Sequence, residues 1–196
     1  PIPATKRALH WHLGWAWGVP GSQDVLRRTL VLLADDDSCA PAVAARAAVS
    51  NGTSPAAALL VGLACWTGSF RNGAAARIDD LKTRALERDA AAAVGDYLRR
   101  GEPAPGFGHP GFPGGDPRAA ALLERFQPND VFARLLEEGT ALTGLRPNMD
   151  LTLAALAASL GLPDQAPFVL SVLARSTGWI AHALEQAGLG AVAATE

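Results

Sequence analysis

The sequence predicts an all-α protein, and three observations carry that reading. Apolar residues recur mainly at helical spacing along the 196-residue chain. No stretch of Val, Ile, Thr and aromatics alternates with the period of two that marks a half-buried strand. The pairs Ser54-Pro55 and Asp116-Pro117 read as helix starts: the side-chain oxygen accepts an orphan backbone N–H, and proline sits where no N–H is missed. With 49% of residues hydrophobic and a mean hydropathy of +0.13, the chain has the apolar surface for a core and does not read as disordered.

Taken in order, residues 27–35 (RRTLVLLAD) and 42–50 read as helices. Ser54-Pro55 opens a third, running to about Thr67. Its apolar run, 55–66 (PAAALLVGLACW), falls short of the roughly 20 residues that cross a bilayer, so it reads as a buried core helix. Residues 74–93 are rich in strong helix formers and predict two helices that meet near 87–89. Residues 101–116 (GEPAPGFGHPGFPGGD) hold Gly and Pro so densely that neither helix nor strand continues, which leaves an ordered loop or a linker. Asp116-Pro117 then restarts a helix, and 129–143, 149–160 and 167–186 supply three more. Gly188 is read as the stop of the last and the Ala-rich tail after Gly190 as frayed. No fixed-period repeat is evident, so the picture is one compact helical unit, of one lobe or two.

Composition narrows the function classes. Seventeen Lys+Arg against 19 Asp+Glu give a net charge of −2, which offers no electrostatic reason to approach nucleic acid or anionic lipid. No partner of either kind, and no membrane span, is expected. Cys39 and Cys65 make no disulfide framework and favour a reducing compartment, with the cytoplasm as the expected location. The sequence opens at Pro1 without a basic and apolar leader pattern, so no export signal is read and a truncated or processed start fits.

Several local features carry no chemistry of their own. His10 and His12 lie two apart, do not share a helix face and have no further ligand cluster, so no metal is expected. Trp11, Trp15 and Trp17 are expected beneath a domain or subunit contact rather than as a base-stacking platform. GFGHPGFPGG follows no strand and lacks a Gly-Lys-Ser/Thr ending, so it is not a nucleotide phosphate loop. Ser38 and Ser54 have no His/Asp partners for a hydrolase triad.

The most informative stretch is 105–118 (PGFGHPGFPGGDPR). Two Phe residues, the lone His109 and glycines that allow a ligand against the backbone suggest a binding loop; a well-packed surface loop capped by Asp116 is the alternative. GFGHP followed by DPRA resembles the signature loop of the citrate synthase family, which takes in methylcitrate synthases and citryl-CoA lyases. Asn148-Met149-Asp150 resembles the family's N-V-D element, and 174–186 (ARSTGWIAHALEQ) its R-x-x-G-W-I-A-H-x-x-E-Q helix. Residues 30–38 (LVLLADDDS) resemble L-V-L-x-A-D-H-E-L, and 44–46 (AAR) agree as well.

The resemblance implies a citrate synthase-like helical fold, with a partial large domain in 1–72, a small domain in 73–160 and a C-terminal helix in 161–196 returning to the large domain. A complete family member carries a large helical segment before these motifs, so this chain corresponds to roughly the last half. The implied reaction is a Claisen-type condensation, in which an acyl-CoA loses an α-proton and the enolate attacks a 2-oxo acid. It needs a carboxylate base and donors to two carbonyl oxygens. By resemblance Asp150 is the base, although an Asp in a helix's first turn is by itself more often a cap. His109 polarises the keto carbonyl, and Gly106, Phe107 and Gly108 flank coenzyme A. Arg118 and Arg175 clamp substrate carboxylates with bidentate guanidinium geometry. No cofactor is held permanently; the coenzyme A thioester is substrate. The partner is a second copy or a longer citrate synthase-like chain.

Three departures stand out. In 68–76 (GSFRNGAAA) Arg71 takes the place of the family's thioester-facing histidine, and a guanidinium does not serve as an ordinary proton donor. Asn72 likewise replaces a glycine. Asp36 takes the place of a histidine that helps bind the 2-oxo acid. Two like charges about 4 Å apart repel by roughly 4 kcal/mol at an effective dielectric near 20, about a thousandfold in affinity, so oxaloacetate is expected to bind poorly. No arginine follows Arg175, where the family carries one that reaches a partner's site. Two functions remain: a condensing enzyme with an atypical site, or a non-catalytic structural or regulatory subunit paired with a complete chain.

Overall fold

The computed structural model describes residues 6–35 and 39–193, with side chains described for all of these except 69–73 and 189–193. Among the described residues there is no strand, and the elements are helical throughout: α1 (Leu9–Ala16), a 3-10 turn (Pro20–Ser22), α2 (Gln23–Leu33), α3 (Ala40–Ser50), α4 (Pro55–Trp66), α5 (Ser69–Glu87), α6 (Ala90–Arg99), α7 (Pro117–Leu123), α8 (Asp130–Thr143), α9 (Met149–Leu160) and α10 (Ala166–Ala193). No described helix is long and apolar enough to cross a membrane.

Capping chemistry sets several of the boundaries. Ser54 accepts from Ala57 N–H at 3.2 Å to open α4, and Asp89 accepts from Ala92 N–H at 2.6 Å to open α6, in the interval where two helices were expected to meet. Asn129 opens α8 in the same way, accepting from Phe132 N–H at 3.1 Å. Gly144 and Gly161 close α8 and α9 in the left-handed conformation that suits glycine at a helix end.

Two expectations fail. Gly188 does not stop α10, which runs on to Ala193. Gly188 keeps a helical backbone there, and the Ala- and Leu-rich flanks offset the roughly 1 kcal/mol that an interior glycine costs. Helix α4 is not buried all round: Ala58, Gly62 and Trp66 face inward, while Leu60 is 66% and Val61 39% exposed. The apolar run is continuous, so its composition alone does not say which face is covered. Trp11 and Trp15 of α1 are not among the core residues. Trp11 packs against Trp15 at 5.6 Å and beneath Arg7, and Trp15 is exposed.

The chain divides into two compact units, Pro1–Arg28 with Asn72–Pro167 and Thr29–Arg71 with Phe168–Glu196. The first has a core of Ile78 and Leu81 from α5, Val94 and Tyr97 from α6, Phe132 and Leu135 from α8, Leu151 and Ala155 from α9, and Phe107 from the glycine-proline loop. The second packs Ala42, Ala45 and Val49 of α3 and Ala58 and Trp66 of α4 with Trp179 and Ala183 of α10. Gly62 makes that packing possible, since a Cβ there would lie 3.1 Å from the Trp179 ring.

Candidate functional site

In the first unit, the loop between α6 and α7 is bound to the segment that leads into α9. Gly108 N–H donates to Arg146 O at 2.9 Å, and Asn148 N–H donates to Gly106 O at 2.8 Å. Between these bonds Phe107 and Pro147 form an isolated antiparallel bridge. The Asn148 side chain completes the junction. Its Nδ2 donates to Gly108 O at 3.1 Å, while its Oδ1 accepts from Asp150 N–H at 3.0 Å and Leu151 N–H at 3.3 Å as the cap of α9.

The glycines here are dictated by geometry. Gly106 has φ +82°, and a Cβ on it would lie 2.5 Å from Leu151 Cβ, so an L side chain is excluded both by its own backbone and by α9. Phe107, 7% exposed, points into the core across Gly139, where any Cβ would overlap its ring. The loop is therefore an ordered, anchored structure and not a linker.

His109 follows Gly108 and is half-buried. Its Nδ1 accepts from Gly111 N–H at 3.1 Å, which places the proton of the neutral ring on Nε2 and makes that nitrogen a donor. The ring packs on Phe112 at 5.0 Å, and the Arg118 guanidinium lies 5.1 Å from the same phenyl ring. Arg118 grips Asp116 with Nε and Nη2, both at 2.9 Å, while Asp116 Oδ1 also accepts Arg118 N–H at 3.0 Å as the cap of α7. Burial pushes the Asp116 carboxyl up, but Arg118's hydrogen bonds and charge outweigh it, with a smaller contribution from His109, and the pKa falls below the ordinary value.

Asp150 stands half-buried in the first turn of α9. One amide side chain thus joins the carbonyl of the residue before His109 to the turn that carries Asp150. Of the other expected site residues, Gly106, Phe107, Gly108 and Arg118 lie in this same loop assembly. Arg175 is in the second unit, on α10, 3% exposed and 5.9 Å from the Trp66 ring. Asp36 lies outside the described residues. Arg71 falls on the first turn of α5, and its side chain is likewise outside them.

The second unit holds a charged cluster that sequence reading did not single out. His182 Nε2 lies 2.8 Å from Asp35 Oδ1, and Nδ1 faces both Arg46 Nη2 at 2.6 Å and Glu185 Oε2 at 3.2 Å. Burial pulls the imidazole pKa down, but the hydrogen bonds with Asp35 and Glu185 outweigh it and the net shift is upward. Asp35, Arg46 and His182 all sit in stretches quoted for their family resemblance, so the residues were visible and only their convergence was not.

An all-helical chain with an anchored glycine-proline loop, an adjacent imidazole and a carboxylate on a capped helix tip defines a recognisable class. The family model described as "Citrate synthase, C-terminal domain" matches residues 9–192, and the chain belongs to the citrate synthase family. The citrate synthase of Mycolicibacterium smegmatis is 29% identical over 177 residues, 84% of this chain and 47% of that protein. The chain spans less than half the length of the curated relatives it matches. Among solved structures, citrate synthase from Thermoplasma acidophilum, in a ternary complex with carboxymethyl coenzyme A and oxaloacetate, superimposes with a TM-score of 0.73 at 26% identity, covering 94% of this chain and 54% of that one. Citryl-CoA lyase from Hydrogenobacter thermophilus superimposes at 0.78 with 22% identity, covering 93% and 77%; that likeness speaks to the fold.

Proposed function

We propose that this chain binds a coenzyme A thioester against the 106–108 loop and makes or breaks the carbon–carbon bond between the thioester's α-carbon and the keto carbon of a 2-oxo acid, with Asp150 moving the α-proton. The observation that carries the reading is the Asn148 junction, which fixes the His109 loop and the Asp150 helix tip to each other. His109 supplies an Nε2–H donor for the carbonyl of a 2-oxo acid. Asp150 stands half-buried in the first turn of α9, where its carboxylate is placed to serve as the base. By the motif resemblance alone, Arg71 is assigned the role of the thioester-facing histidine, Arg175 that of a carboxylate-binding arginine, and Asp36 that of selecting against oxaloacetate. In this reading residues 73–160 act as the small domain. Carboxymethyl coenzyme A with oxaloacetate, the compounds named with the Thermoplasma acidophilum citrate synthase, support the substrate class.

The condensed thioester then needs water to release free coenzyme A, so the test is 2-oxo-acid-dependent consumption of acetyl-, propionyl- and longer acyl-CoA, with thiol release reading the hydrolysis, beside Asp150→Asn. Turnover abolished by that substitution supports the proposal; turnover that survives it removes Asp150 from the mechanism.

A second reading, a non-catalytic subunit seated on a longer citrate synthase-like chain, is favoured by α4. A helix that is apolar on every face is stable in water only when covered, and Leu60 and Val61 stand open on this chain. The same face serves a second copy in the enzymatic reading. Failure of every acid and acyl group, together with stoichiometric co-purification with a longer family member, selects the subunit.

A further inference from the structure

A coenzyme A ester and a 2-oxo acid are both anions, yet residues 101–117 contain neither Lys nor Arg. The cations around the loop are engaged elsewhere. Arg77 donates to Pro103 O at 2.8 Å, Arg100 pairs with Glu102 at 3.2 Å and covers Tyr97, and Arg118 holds Asp116. Arg146 differs. Its carbonyl accepts Gly108 N–H at 2.9 Å, so its backbone is one strut of the loop. Its aliphatic stem lies across the loop's far end, where Gly115 has φ +111° and a Cβ would sit 2.5 Å from Arg146 Cδ. The residue is exposed, and among the described residues its guanidinium makes no ion pair or side-chain hydrogen bond.

A cation whose stem and backbone are both fixed, at the mouth of a loop that has none, loses little freedom on meeting an anion. We infer that Arg146 is the residue that receives an anionic group of the ligand bound at this loop, either a phosphate of the coenzyme A ester or a carboxylate of the 2-oxo acid. The inference rests on the proposed function and adds to it a residue that the family motifs do not mark. It also explains Gly115, because any larger residue there would dislodge the arginine stem.

The experiment compares the full chain with Arg146→Gln, which keeps a stem and removes the charge, and Arg146→Lys, which restores the charge, by titration calorimetry. The probes are coenzyme A, pantetheine as its phosphate-free part, and oxaloacetate as a 2-oxo dicarboxylate. A charge-assisted contact is worth about ten- to a hundredfold in affinity. Arg146→Gln is expected to weaken coenzyme A by that factor, leave pantetheine unchanged and recover most of the loss in Arg146→Lys; a loss confined to oxaloacetate assigns the carboxylate instead. Unchanged affinity for both anions overturns the inference, as does an equal loss for pantetheine, which would report a disturbed loop. A parent chain that binds none of the three probes overturns the proposed function and the inference with it.

Discussion

Asn148 performs two tasks with one side chain, and two substitutions separate them. Serine keeps an oxygen that can cap α9 but has no second donor for Gly108 O; alanine has neither. The cap is worth about 1 kcal/mol, and a neutral hydrogen bond of the Asn148–Gly108 kind contributes about 1 kcal/mol net, partly recovered by water because Gly108 is only half-buried. Asn148→Ser is thus expected to lose about 1 kcal/mol and Asn148→Ala about 2 kcal/mol, or roughly 3 °C and 6 °C in Tm for a chain of this size. Hydrogen exchange supplies the local readout. The amide of Gly108, bonded to Arg146 O, should exchange about fivefold faster in the serine variant, while amides in the middle of α9 stay protected. If serine leaves the Gly108 amide as slow as in the parent, the side chain does not hold the loop and the junction argument fails.

Three further outcomes follow from the same geometry. Gly106→Ala meets Leu151 and an unfavourable φ together, so a loss of about 2 kcal/mol or more in urea unfolding is expected; a neutral effect would mean that the loop readily moves off α9. Arg118→Ala strands the buried Asp116 carboxylate and should cost about 3 kcal/mol at neutral pH. With the Arg118 guanidinium gone, burial is opposed only by the retained backbone N–H of residue 118 and the smaller His109 contribution, so that carboxyl's pKa rises, the cost should shrink as pH falls, and a deficit independent of pH would contradict the pairing. His182 is raised above 6.5 in the fold, so its charged form is the stabilising one. Its contribution is complete below the unfolded value and lost as pH rises through the folded pKa. Unfolding measured between about pH 5.5 and 8.5 should show that decline in the parent and not in His182→Gln; a His182-dependent rise over the same range would reverse the assignment.

How much of this was legible in the sequence depends on the range of the interaction. Helix starts at Ser54, Asp89 and Asp116 are local, since the cap and the N–H it accepts lie two or three residues apart; Ser54 and Asp116 were read as starts, and Asp89 only as part of a helix junction. The motif loop was readable too, as residue types. Its partner was not: the bond from Asn148 to Gly108 spans 40 positions, and nothing in either tripeptide announces the other. Arg118 shows a different gap. Its resemblance marked a substrate contact, while its own neighbour Asp116 holds the guanidinium, a competition that residue type does not resolve. Gly188 misled because a helix-stop signal is statistical, and the flanking residues favoured continuation. The outer face of α4 was missed because a wholly apolar run has no periodicity from which to tell inside from outside.

The clamp between loop and helix is made chiefly of main-chain atoms, which do not depend on what side chains lie between the anchor points. Residues 110, 113 and 114 can therefore be varied as a library while Gly106, Phe107, Gly108, Gly111, Phe112 and Asn148 stay fixed, giving a scaffold on which ligand preference is tuned without rebuilding the fold.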